Sequence, residues 1–250
     1  MIIKRLAEGI KKQDWFVVTI EIVIVVVGIF IGLQVDEWNT SRINDQRAVE
    51  VIEELQVDFE RIEQSATNLA DFYANILVKM KALRIILDAG VVRPEDEQAV
   101  KDGISSASNW GDPPPPSGIF RDLVSSGNLS LIRNKELRMR LMEYDQSIGM
   151  IEKSDLNINI LIAQFEVVLG RHSSVSLDFA VPDKEDLAFI DITLPRTENV
   201  QYDAMLADPD FRGAIDHNTT LLFSRYANIR VVMGKISQVQ KLLDAETAGD

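Results

Sequence analysis

Apolar residues follow three rhythms along this chain, and each predicts a different kind of element. From Phe16 to Leu33 they are nearly continuous, interrupted only by Thr19, Glu21, Gly28 and Gly32. As a helix this run rises about 27 Å, close to the ~30 Å hydrocarbon core of a bilayer, so a transmembrane helix is expected over residues 16–35. Trp15 and Trp38 bracket it as interface anchors, and Gln34, Asp36 and Glu37 mark its exit into water. The run is longer than a signal-peptide core, and no small-x-small cleavage site follows it, so it reads as an uncleaved anchor. A buried core helix is the other reading of such a run.

The second rhythm is a heptad. Ile52, Phe59, Ala66, Tyr73, Met80 and Leu87 recur at position a, and Leu55, Ile62, Leu69, Ile76 and Leu83 at position d. Glu, Asp, Gln and Lys fill the wetted positions, as a coiled-coil or bundle helix requires. The stripe is core, either within the chain or between copies. Few helix breakers separate Leu33 from Val51, so the helix is expected to run straight out of the membrane, unless Asn39-Thr40-Ser41 caps a fresh start.

Gly90 ends this helix, and Pro94-Glu95-Asp96-Glu97 opens another that fades near Ser108. Asn109-Trp110-Gly111-Asp112 and then Pro113 to Pro116 read as a stiff polyproline II connector, with a Pro-rich docking motif as the sharper alternative. Ser117 to Ser126 predicts a short helix stopped by Gly127, and Leu129, Leu131 and Ile132 are expected to plug the core. Asn134 caps a second long helix over about Lys135 to Leu169, with Leu137, Leu141, Tyr144, Ile148, Ile151, Leu156 and Ile160 on its inner face. A last one runs from about Asp208-Pro209 to Ala245, with Phe211, Ile215, Leu222, Tyr226, Ile229, Val232 and Ile236 inside and the tail Glu246 to Asp250 frayed. The third rhythm is alternation with period two, over Val175–Val181 and Ala188–Leu194, bounded by Pro182 and Pro195; it predicts two short strands. The fold class is thus mainly α: one N-terminal transmembrane helix, then a long-helix antiparallel bundle or coiled-coil domain over 36–250 with a small two-strand excursion.

Charge adds orientation. Lys4, Arg5, Lys11 and Lys12 precede the span, against Arg42 and Arg47 just after it. The positive-inside rule therefore puts residues 1–15 in the cytoplasm and the large remainder outside. The net charge of −13 lies outside the anchor and would repel nucleic acid and anionic lipid from the large domain, so nucleic acid is not an expected partner. The chain has no cysteine, which excludes disulfides, thiol catalysis and Cys-based zinc sites.

Within the span, Glu21 is the anomaly, because a carboxylate at that depth must be protonated, paired or turned towards protein. At about 100° per residue, Glu21, Val25, Gly28 and Gly32 share one narrow face. Gly28-Ile-Phe-Ile-Gly32 is a small-xxx-small pattern that lets helix backbones approach, and Glu21 can hydrogen-bond across the same contact. Alternatively Glu21 reaches the cytoplasmic head groups towards Lys11 or Lys12.

The run Glu21 to Asn39, together with Phe120-Arg-Asp-Leu-Val-Ser-Ser-Gly127-Asn-Leu-Ser-Leu-Ile-Arg-Asn134-Lys-Glu-Leu-Arg138 and the later Tyr144, resembles a family of bacterial single-pass membrane proteins of unknown function. The shared motifs are the Glu-Ile-x-x-Val-x-x-Gly-Ile span, the Trp-Asn exit and the Leu-x-Ser-Ser-Gly turn before a helix. Asp145 stands where that pattern has a second tyrosine. The resemblance covers most of the chain and implies fold and topology, with location in the bacterial inner membrane; it implies no reaction, cofactor or partner.

No constellation for catalysis is apparent. His172 and His217 lie far apart and outside any H-E-x-x-H arrangement, no phosphate loop or G-x-S-x-G is present, and Glu53/Glu54 and Glu95/Glu97 read as solvated helix faces. The expectation is a non-enzymatic protein without cofactor or metal, associated with membrane lipid and with further copies of itself or another membrane protein. A ligand-binding or sensing module is the second reading, favoured if a polar-lined pocket occurs near Trp110, Arg121 or Arg138. An ion-conducting oligomer that titrates Glu21 is the third.

Overall fold

A computed structural model describes residues 15–107, 109–176 and 197–248. Helix α1 runs without a break from Trp15 to Ala89, so Asn39-Thr40-Ser41 starts no new helix. Its first part is long and apolar enough to cross a membrane, and none of that apolar window is buried by the chain itself. The polypeptide forms two compact units that part between Glu53 and Glu54.

In the unit from Glu54 onward the heptad stripe is a core inside one chain, which answers the choice the sequence left open. Every predicted a and d position from Leu55 to Leu87 is buried. These residues meet two further long helices, α4 (Lys135–Leu169) and α6 (Pro209–Ala248). Gln56 Nε2 donates to Thr247 Oγ1 at 3.2 Å near the end of α6, whereas Arg212 near its start reaches the Leu87 carbonyl at 3.3 Å, so α6 runs antiparallel to α1. Asn134, capping α4, donates to Glu246 at 2.7 Å, which makes α6 antiparallel to α4 as well. Glu246 and Thr247 lie inside α6, so the predicted fraying from Glu246 is corrected: hydrogen bonds to α1 and to the α4 cap hold this last turn.

Short elements close the gaps between the long ones. A 3-10 turn at Pro94–Asp96 leads into α2 (Glu97–Ala107), whose Gly103 lies so close to Leu83 that a Cβ there would meet the leucine Cβ at 2.6 Å. Helix α3 (Gly118–Ser125) is capped by Ser117, whose Oγ accepts from Phe120 N at 3.1 Å and donates to buried Asp58 at 2.7 Å. Gly127 ends it at φ +74°, with Asn128 N bonded to Leu123 O at 2.9 Å, a left-handed position that glycine occupies without Cβ strain. Of the three predicted plug residues Ile132 is fully buried, while Leu129 and Leu131 are half-buried.

The small two-strand excursion is present. β1 (Ser174–Val175) pairs antiparallel with β2 (Thr197–Glu198), with Ser174 opposite Glu198. β1 includes Val175, where the first predicted run starts; Ser176 is outside the strand, and residues 177–181 and all of Ala188–Leu194 lie outside the described residues. The second strand falls beyond Pro195. A short helix that the sequence reading did not include, α5 (Tyr202–Ala207), then precedes α6.

Two inner faces need correcting. On α4 the stripe continues from Ile151 to Ile158, Ile162 and Leu169, all buried, while Leu156 and Ile160 are 67% and 60% exposed. On α6 the buried residue after Leu222 is Arg225, and Tyr226 is only half-buried. Both corrections have one cause: steps of three and four residues place Asp155 and Arg225 on the core seam, where a reader looking for apolar residues passes them over.

Candidate functional site

Helices α4 and α6 bring those two charged seam residues together. Asp155 follows Ile151 by four residues on α4, and Arg225 follows Leu222 by three on α6, so the antiparallel pairing sets them face to face. Arg225 Nε approaches Asp155 Oδ1 at 3.3 Å as an ion pair outside hydrogen-bond alignment. Nη2 donates to Asn159 Oδ1 at 2.7 Å and to the Asp155 carbonyl at 3.4 Å. The guanidinium is 2% exposed, and its Nε and Nη1 have no hydrogen-bond acceptor.

Burial pushes the Asp155 carboxyl up, Arg225 draws it back down, and Asp112 pushes it up again. Tyr73 on α1 lies within electrostatic reach of the same pair, and burial raises its phenol above the ordinary value. The Tyr73 hydroxyl donates to the Gly111 carbonyl at 3.1 Å and accepts from the Gly111 N–H at 3.3 Å. A Cβ on Gly111 would come within 2.6 Å of Leu69, so glycine is what lets the connector lie against α1. Further along, Tyr144 of α4 donates to Pro115 O at 2.7 Å and packs edge-on against Phe59 at 5.2 Å. Two tyrosines thus hold the proline-rich connector to the bundle, with Pro114 buried beneath it.

Where the connector crosses α4 and α6 it leaves a pocket of about 240 Å³, walled by Trp110, Pro113 and Leu156, with Asp112 and Glu152 as further carboxylates and the Asp155–Asn159–Arg225 group at its base. The expected grouping of Trp110, Arg121 and Arg138 does not occur. Trp110 lines this pocket; Arg138 lines a separate shallow hollow with Leu129, Ser130 and Arg133; Arg121 pairs with Asp145 at 2.6 Å. Arg121 stands on α3 and Arg138 on α4, and the two arginines are drawn to different partners. The sequence reading omitted Asp112, Glu152, Asp155, Asn159 and Arg225. The available signal was the spacing Leu222, Arg225, Ile229, which puts a cation on an otherwise apolar stripe.

On the apolar first part of α1, Glu21, Val25, Gly28 and Gly32 are all exposed, and nothing of the chain lies within 4 Å of a Cβ placed on either glycine. Trp38 is 67% exposed; Trp15 opens α1. The alternative partners of Glu21, Lys11 and Lys12, lie outside the described residues.

The two histidines occupy different settings. His172 Nε2 and Asp208 Oδ2 are 2.7 Å apart at the junction of α4 and α6, with the Phe211 ring edge-on to the imidazole at 6.0 Å. That hydrogen bond, helped by the N–H groups of Asp210 and Phe211, holds the Asp208 carboxyl below its ordinary range. His217 instead lies against Phe165 at 4.8 Å. Among the described residues no three His, Asp or Glu side chains gather in a metal-binding group. Comparison of the chain with protein-family models, with curated proteins and with solved structures gives no match.

Proposed function

We propose that this chain is a non-enzymatic, membrane-anchored interaction protein of the bacterial inner membrane, with its N-terminus cytoplasmic and its helical bundle outside. In this reading the span associates with another copy or another membrane protein through Glu21, Val25, Gly28 and Gly32. The observation that carries it is the uncovered face of α1: the apolar window is unburied, and both glycines are open to close approach by a second helix. The hydrocarbon of the bilayer solvates Val and Ile, but it offers no hydrogen-bond partner to the Glu21 carboxyl.

The test is the mass of the intact protein in native-lipid particles, for wild type and for Glu21→Gln and Gly28→Leu. An oligomer that either substitution dissociates supports self-assembly, and a monomer that captures a defined membrane protein, lost in the same variants, supports docking. A mass and partner set unchanged by both substitutions overturns the reading. A second reading, a ligand-binding module that acts with a separate partner, is favoured by the pocket at Trp110 and Arg225.

A further inference from the structure

We propose that the pocket between the Trp110–Pro113 connector and helices α4 and α6 binds a small organic ammonium ion, with Trp110 against its apolar and cationic face and Asp112 and Glu152 as its counter-charges. The lining carries three carboxylates and one guanidinium. Arg225 pairs with Asp155 and donates through Nη2 to Asn159, which balances the formal charge at the base of the pocket while its Nη1 keeps no acceptor. Asp112 and Glu152 have no cationic partner among the described residues, so the opening is anionic by two charges and unsuited to an anion.

The walls select the kind of cation. Trp110 and Leu156, which line the pocket, are 49% and 67% exposed as whole residues, so both keep apolar surface open to a ligand. An indole face attracts a cation within about 6 Å of its ring, most strongly one whose alkyl groups keep its hydration weak. An inorganic cation would leave Trp110, Pro113 and Leu156 uncontacted, whereas a methylated or alkyl ammonium satisfies both the carboxylates and the apolar walls. At about 240 Å³ the pocket suits a compact ligand rather than a peptide. The inference extends the ligand-binding reading and is independent of whether the span assembles, which the mass measurement decides.

The probe is choline, titrated calorimetrically into the full-length protein in detergent, with sodium and acetate at the same concentrations as controls. The expected result is saturable one-site binding of choline and none of acetate. Affinity should fall at least about tenfold in Asp112→Asn/Glu152→Gln and in Trp110→Ala, while Trp110→Phe retains part of it. Both carboxylates are exposed, so the double variant should melt as wild type does, separating loss of binding from loss of fold. Absence of saturable binding by choline and by trimethylamine, equal binding of sodium, or an affinity unchanged in the well-folded double variant each overturns the proposal.

Discussion

Asp155 and Arg225 face each other at 3.3 Å from the core seams of two antiparallel helices, a charged pair at positions whose neighbours along both stripes are isoleucine and leucine. Removing both charges from water is costly, and their attraction offsets that cost only while both are present. Asn159 completes the group by accepting from the same guanidinium.

Truncating one member should therefore cost far more than replacing both. Asp155→Leu leaves a 2% exposed guanidinium without its counter-charge and is expected to lower the unfolding free energy by about 3–5 kcal/mol. Asp155→Leu/Arg225→Leu should recover most of that loss. Urea unfolding of the two single variants and the double, followed by circular dichroism, measures the coupling; additive single effects would show that the pair is not coupled.

Tyr144 gives a stability change with a pH signature. Tyr144→Phe removes the 2.7 Å bond to Pro115 O and should cost about 0.5–1.5 kcal/mol at neutral pH. Burial raises the Tyr144 phenol, with Asp58 and Asp145 adding to the shift. The folded protein therefore keeps a proton that the unfolded chain releases near pH ~10, and stability falls as pH rises past that point. The phenylalanine variant lacks this loss. Its deficit relative to wild type should shrink between neutral pH and about pH 11, as read by thermal melts; a constant deficit would contradict the burial of the hydroxyl.

Asp208 has the opposite sign. Its folded-state carboxyl is held below the ordinary value by His172 and by two backbone N–H groups at the start of α6. The unfolded chain thus binds the proton first as pH falls. The stabilisation is complete above the unfolded value of about 3.9 and is lost as pH drops through the lower folded one. In Asp208→Asn the amide can still cap α6, but the charge is gone. The gap between wild-type and variant melting temperatures should be widest above about pH 5 and close in stronger acid; a gap independent of pH would assign Asp208 a capping role alone.

Most of the bundle was legible because burial in a long helix repeats. Leu55, Phe59, Ile62, Ala66, Leu69, Tyr73, Ile76, Met80 and Leu83 stand three and four residues apart, and that spacing places them on one side of α1 whatever covers it. Helix ends were equally local: Asn134 accepts from the N–H groups of Glu136 and Leu137, and Gly127 turns left-handed, each within a few residues of its own position. The apolar length of the span from Phe16 likewise depends on no partner.

The polar seam was not legible, because its meaning depends on what stands opposite. Asp155 by itself reads as a break in the α4 stripe, which shifted the expected inner face to Leu156 and Ile160. Arg225 by itself reads as a surface charge beside Tyr226. Burial of either becomes tolerable only when the fold supplies the opposite charge 70 residues away and Asn159 with it. The same holds for the pocket, since Trp110 and Glu152 share a cavity only after Tyr73 and Tyr144 have bound the connector across the bundle. By itself the sequence determined the apolar length of the N-terminal helix, the long helices and their apolar stripes, which follow from local spacing and length. Tertiary structure alone decided which charges could enter the core, because the energy of a buried ion belongs to the pair rather than to either residue.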